Sequence, residues 1–291
     1  MKQSIAFSIL VTSLFGRAVS SGAETFTNCV LPGIICWSET RTNPPERLFI
    51  AEVDLKNPHL HLRVAPGGAD PDGSGPWNTT LMEPTRIADR ENFSFVVNGD
   101  FFLVKNILDG EGINSHYHAN QWARPEGPAM SDGKTWSTST NSRPCFVIHK
   151  DGGITIESLA SPGTDDWQVI GGGPVLLRQG AVTAAATGTA LPHKGSAYNS
   201  RTVVGLDAAG TKLTLLVVDG RKPGIARGMT YPELAAEMRR LGCTEALNLD
   251  GGGSSLMAVR DSATGSMRIL NQPTDSHERP VADVLGIVLD R

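Results

Sequence analysis

The segment Ala246-Leu247-Asn248-Leu249-Asp250-Gly251-Gly252-Gly253-Ser254-Ser255-Leu256-Met257 constrains this chain more than any other. An apolar run with strand character delivers one carboxylate, Asp250, to three consecutive glycines and two serines, and a second apolar run leaves. Glycine weakens a strand and costs backbone entropy, so three in succession imply a special turn or a close approach by another group. Backbone N–H groups freed in such a turn can form an anion-binding concavity. The plain alternative is a glycine-rich hairpin with a capping aspartate.

The chain has 291 residues, which bounds it to one or two domains. A net charge of −4, a pI near 6.0 and no Lys/Arg-rich run argue against nucleic acid as a partner. Lys2, the short apolar run from Ser4 to Phe15 and the small residues Ser21-Gly22-Ala23 fit a secretory signal peptide over residues 1–23. That run is too short to span a bilayer, and no later stretch approaches membrane length. A secreted or periplasmic domain over residues 24–291 is the expectation, with no membrane span after cleavage. Four cysteines in an oxidising compartment permit two disulfides. Cys29 and Cys36 flank a Pro-Gly turn and can staple the N-terminal segment, leaving Cys145 and Cys243 paired or free.

Short strands dominate the rest. Alternating or apolar runs predict strands at Leu48–Leu55, Leu60–Val64, Phe93–Asn98, Cys145–His149, Ile154–Leu159, Gln168–Ile170, Thr202–Leu206, Leu213–Val218 and Val284–Leu289. Thr85–Arg90 predicts a short helix. Thr230 and Glu233 form a capping box ahead of a helix over Tyr231–Leu241, with Leu234, Met238 and Leu241 on one apolar stripe. The long polar segment Asp109–Thr140 reads as a binding loop. The fold class is α+β: a single strand-rich domain with few helices and active-site loops at strand ends.

Polar clusters close or open several of these strands. They are Asn98-Gly99-Asp100-Phe101-Phe102, Gly171–Pro174, Ser200-Arg201-Thr202, Asp219-Gly220-Arg221, the glycine loop and Glu278-Arg279-Pro280-Val281. Asn98-Gly99, Asp219-Gly220 and the glycine loop have ordinary turns as their alternative and Arg201 a surface charge, and no cluster alone is specific. In this order, with Asn-Leu-Asp-Gly-Gly-Gly-Ser-Ser as the core, they resemble the phosphodiester glycosidase family from about Ile50 to Leu289. The resemblance implies hydrolysis of a sugar 1-phosphodiester, like an N-acetylglucosamine-1-phosphodiester, at the anomeric carbon. Such a reaction passes through an oxocarbenium-like state that a carboxylate stabilises or attacks. The phosphate leaves readily as an anion, so charge neutralisation matters more than acid assistance.

Asp250 is therefore the first candidate for the carboxylate, Asp100 the second and Glu278 the reserve. Asn98, Arg201, Asp219, Arg221 and the backbone of Gly251, Gly252, Gly253 and Ser254 are the candidates for substrate or phosphate binding. No cofactor is expected, and a divalent metal held by Asp100 and Asp250 stays open. The expected partner is a carbohydrate or sugar phosphate; the oligomeric state is open. Three alternatives remain: hydrolysis of a neutral α-linked exopolysaccharide or cell-wall glycan, phosphorus–oxygen cleavage by a metal phosphodiesterase, and a non-catalytic glycan-binding module using Phe101, Phe102, Trp122 and Trp136. Ser254 lies outside a Gly-x-Ser-x-Gly elbow, and no Gly-Lys-Ser/Thr phosphate loop is present.

Overall fold

The computed structural model describes residues 23–105, 108–109, 112–113, 117–187 and 197–290. The expected signal peptide therefore lies outside the described residues, Ala23 apart. Strands carry almost all of the regular structure, and two α-helices, Pro84–Arg90 and Tyr231–Arg240, complete it among the described residues. The strand-rich expectation holds, but the domain is mostly β rather than strictly α+β.

Two antiparallel sheets form the body. The larger has eight strands in the order Ala23–Leu31, Ile34–Thr42, Pro45–Asp54, Lys212–Val218, Arg201–Leu206, Glu245–Asn248, Val175–Arg178 and Ala181–Val182. The second has five, in the order Met267–Ile269, Met257–Arg260, Phe95–Asn98, Asp283–Leu289 and Leu60–Pro66. Side chains alternate across a strand, and here the alternation is visible in where each residue packs. Val204, Leu213, Leu215, Val217 and Leu247 of the larger sheet meet Phe95, Val97, Met257, Leu285 and Ile287 of the smaller in one core. A further five-stranded sheet adds Phe146, Ile148, Ile156 and Ile170 to that core.

Their neighbours along each strand go the other way. Leu48, Ile50, Val203, Leu216 and Val218 turn to the outer face of the larger sheet, where Leu234, Ala235 and Met238 of the second helix cover them. Val96, Ala258 and Val284 turn to the outer face of the smaller sheet, under Ile87 and Ala88 of the first helix. The layering is helix, sheet, sheet, helix, and strands buried on both faces are apolar throughout.

Two local expectations are met in detail. Thr230 caps the second helix: the Glu233 N–H donates to its hydroxyl at 3.4 Å, and the Thr230 N–H donates to the Glu233 carboxylate at 2.9 Å. Cys29 and Cys36 are bonded, as register partners on adjacent strands, while Cys145 and Cys243 are buried free thiols. The expected loop over Asp109–Thr140 is corrected in part. Trp122–Pro125, Ala129–Ser131 and Lys134–Ser137 are strands, too short to show an alternation. Some of that segment, including residues 110–111 and 114–116, lies outside the described residues. No helix is long and apolar enough to cross a membrane among the described residues.

Candidate active site

Antiparallel register brings the ends of distant strands together. Arg201 opens its strand opposite Val218, the last residue before Asp219, and Asn248 pairs with Val203 on the same strand. On the smaller sheet Asn98 pairs with Val284, one residue after Asp283. The two sheets meet at Asn98 and Asp250. Fully buried Asn98 donates from its side-chain amide to the Asp250 carbonyl at 2.9 Å. Its side-chain oxygen accepts from the Thr202 hydroxyl at 2.7 Å and from the Leu256 N–H at 3.1 Å. With those bonds made, Asn98 ties the strand ends to each other and holds the glycine loop at entry and exit.

Asp250 stands where the strand Glu245–Asn248 runs out. Its N–H donates to the Gly99 carbonyl at 2.9 Å, and its carboxylate accepts the Gly251 N–H at 2.8 Å. It keeps partial contact with solvent. Burial nevertheless pushes its pKa up to about 6, against the pull of the Ser254 hydroxyl, the Gly251 N–H and the positive charge of Arg279. A carboxylate with that proton affinity, at the mouth of a loop, has the character of a reacting group.

Three of the loop's N–H groups bond within the protein: Gly251 donates to Asp250, Gly252 to the Ser200 carbonyl at 2.9 Å and Ser254 to the Gly251 carbonyl at 3.2 Å. The turn is a 3₁₀ segment over Gly252–Ser254, and tight turns consume their own donors. What the glycines provide is room for guanidinium groups. A Cβ on Gly252 would stand 3.2 Å from a terminal nitrogen of Arg221, and one on Gly253 would overlap Arg279 and Asp275. Gly252 also has a φ of +63°, where a side chain is disfavoured.

Three arginines thus stand about the glycine loop: Arg279 and Arg201 interact with Asp250, and Arg221 lies against Gly252. Arg221 is exposed. Arg279 is fixed by Asp275, with its Nε donating at 2.9 Å, and it stacks on Tyr117 at 4.6 Å from the ring centroid. Tyr117 in turn meets Phe102 edge-on at 5.3 Å. Arg201 is buried, donates to the carbonyls of Met229 and Ala197 at 3.1 and 3.0 Å, and stacks on Tyr231 at 4.3 Å. Burial lowers its pKa; Arg221 lowers it further, while Tyr231 and Asp250 oppose.

Asp100 is placed differently from the expectation. It is 1 % exposed, and its oxygens accept the N–H groups of Phe101 at 2.8 Å and Gly127 at 2.7 Å. Its own N–H donates to Asp283 at 2.7 Å. Burial first, and then the charge of Asp283, hold its pKa well above the carboxylate range. Asp283, fully buried with one oxygen lacking a hydrogen bond, is itself pushed up to about 7 by burial, with the charge of Asp250 adding to the rise.

Asp219 is also buried and pushed up to about 6 by that burial. It accepts from the Asn271 amide at 3.2 Å and the Gln272 N–H at 3.1 Å, and Asn271 donates to the Ser255 carbonyl at 3.0 Å. It therefore buttresses the far side of the loop. Glu278 accepts the N–H and hydroxyl of Thr85, at 3.1 and 2.5 Å, and so caps the helix Pro84–Arg90. Its neighbour Arg279, not Glu278, is among the residues whose charge acts on Asp250. Arg279 and Asp283 lay outside the sequence-based candidates. Their only signal was a place beside a recognisable cluster and a lone acid at the head of an apolar strand.

Among the described residues no group of three or more His, Cys, Asp or Glu side chains is arranged to hold a metal ion. A cleft of about 630 Å³ lies elsewhere, lined by His149, Glu157, Asp166 and neighbours; none of the residues above lines it. His149 is engaged there by Asp166 and Thr155, both at 3.0 Å.

The sequence pattern of the phosphodiester glycosidase family matches residues 91–288. The chain belongs to that family. The match takes in every strand end described above from Phe95–Asn98 to Asp283–Leu289. Among solved structures, the zebrafish N-acetylglucosamine-1-phosphodiester alpha-N-acetylglucosaminidase catalytic domain, auto-inhibited by its pro-peptide, has a TM-score of 0.62 at 24% identity, over 93% of this chain and 89% of that one. A hypothetical protein from Synechocystis gives 0.60 at 15% identity, over 93% and 64% of the two chains. A protein of Burkholderia pseudomallei K96243 gives 0.59 at 18% identity, over 84% and 74%. At these identities the likeness is one of fold. No curated protein matches the chain.

Proposed function

We propose that this phosphodiester glycosidase family member is a secreted hydrolase that cleaves a sugar 1-phosphodiester at the anomeric carbon. The observation that carries the reading is Asp250: a carboxylate raised to about pH 6 by burial, beside a loop whose missing side chains admit Arg221 and Arg279. An anionic phosphate beside the sugar explains why guanidinium groups crowd one reacting carboxylate. A neutral glycan would give them nothing to neutralise. The edge-on Phe102–Tyr117 pair offers an apolar flank for the sugar ring.

In this reading Asp250 stabilises positive charge at C1 as the C1–O bond breaks, and the electron pair leaves with the phosphate. The arginines hold that phosphate as its charge grows. Asn98, Asp219 and the Asp100–Asp283 pair keep the loop and Asp250 in place. N-acetylglucosamine is the sugar suggested by the zebrafish relative's name, and it stands as the first substrate to try.

Hydrolysis of N-acetylglucosamine-1-phosphodiesters in ¹⁸O-water tests the reaction class. Label in the released sugar is expected. Label in the phosphate would make the protein a phosphodiesterase, and binding without turnover across sugar phosphodiesters and neutral glycosides would make it a glycan-binding module. The proposed chemistry needs no metal, so turnover is expected to survive exhaustive EDTA treatment.

A further inference from the structure

A glycosidase that releases a good leaving group still has to deprotonate water, and this requires a second carboxylate in contact with solvent. Asp100 cannot serve. It is buried, both oxygens accept backbone N–H groups, and its proton affinity is high. The segment it belongs to does, however, present another acid.

The strand Trp122–Pro125 pairs with Phe102–Val104 through Pro125 and Phe102, and Glu126 follows directly. The Glu126 N–H donates to the Phe101 carbonyl at 2.7 Å, and the next residue, Gly127, donates to Asp100. Asp250 is fastened to the same stretch at Gly99. Gly99 and Phe101 are two residues apart, about 7 Å of extended chain. Asp250 and Glu126 therefore flank one short backbone bridge. The Glu126 side chain is exposed and steadied by Arg143 at 2.8 Å. Its charge is among those that act on Asp250.

We propose that Glu126 is the second carboxylate of this site, the base that takes a proton from the water attacking the sugar. This rests on the sugar-phosphodiester reading above. The water oxygen bonds to C1, the C1–O bond to phosphate breaks with its electron pair going to the phosphate, and the water proton passes to Glu126. Arg143 keeps Glu126 aimed between turnovers. Asp100 and Asp283 are positioning residues: they fix the bridge on which both acids depend.

The test compares the wild-type protein with Glu126→Gln and Glu126→Asp on an N-acetylglucosamine 1-phosphodiester, with and without azide. Azide attacks C1 without giving up a proton, so it bypasses a missing base. Glu126→Gln is expected to lose about a hundredfold or more in hydrolysis, with an unchanged thermal midpoint. Added azide should restore consumption of substrate and yield the glycosyl azide and phosphate monoester. Glu126→Asp should retain part of the activity. An active Glu126→Gln protein, or a slow one that azide does not rescue, overturns the assignment while leaving the glycosidase reading intact. A wild-type protein that turns over no sugar phosphodiester overturns that reading, and this one with it.

Discussion

Asp250 shows how a single carboxylate acquires a reacting group's properties from its surroundings. Burial raises its proton affinity, and the guanidinium of Arg279 opposes this, so that it titrates near pH 6. Because the proposed reaction needs the ionised form, kcat/KM should climb with pH through about 6 and then level. Asp250→Asn should remove that limb and cost at least about a hundredfold in turnover while the protein stays folded. A folded variant of full activity would take Asp250 out of the mechanism. Asp250 is legible in the sequence because three glycines beside one acid are rare enough to mark it. Glu126 is not, since Arg124-Pro125-Glu126-Gly127 reads as any polar turn. Nor does Asp283 stand out at the head of an apolar strand. Its importance comes from burial against Asp100, which only tertiary structure creates.

At the level of elements, periodicity performs well where one pattern acts alone. The strands Ile154–Leu159 and Lys212–Val218 and the helix Tyr231–Arg240 fall within a residue or so of their predicted bounds. Thr230→Ala should cost about 1 kcal/mol of stability, read from chemical denaturation, because it removes the reciprocal cap. The glycine loop carries a sharper expectation. Gly253→Ala forces a methyl group between Arg279 and Asp275. Activity should fall more than stability, because the ion pair lies at the surface of the site and not in the core. A crystal structure or a KM-against-kcat comparison would register the displaced arginine. The N-terminal strands Ala23–Leu31 and Ile34–Thr42 escape the sequence reading. Glu24 to Phe26 and Val30 are exposed, so the outermost strand carries little alternation to detect.

Across the molecule, four carboxyls among the described residues are raised by burial: Asp100, Asp219, Asp250 and Asp283. A native group that holds its proton more tightly than in the unfolded chain favours folding below the unfolded pKa. That contribution is lost as pH rises through the folded value. With ordinary values near 3.8, Asp219 and Asp250 near 6 and Asp283 near 7 place the loss between about pH 4 and 7. Glu39 and Asp207, whose pKa values are lowered against burial by Arg240 and by the backbone of Lys212 respectively, act oppositely and only in acid. The thermal midpoint should therefore be higher at pH 5 than at pH 8. Asp283→Asn should flatten that slope, since Asn keeps the acceptor that Asp100 needs; an unaltered slope would clear Asp283 of the effect. The strand-rich character was legible in the sequence, but the stacking of the two sheets was not, because pairings such as Val203 with Asn248 and Asn98 with Val284 join segments far apart in the chain.

The strand Asp283–Leu289 lies between Phe95–Asn98 and Leu60–Pro66, and its first residue holds Asp100. The site therefore leans on a strand that is hydrogen-bonded along both of its edges. Amides paired in this way open only when the sheet itself opens, so those of Val284 to Ile287 should be among the last to exchange in heavy water. The anchor of Asp100 is then as persistent as the fold.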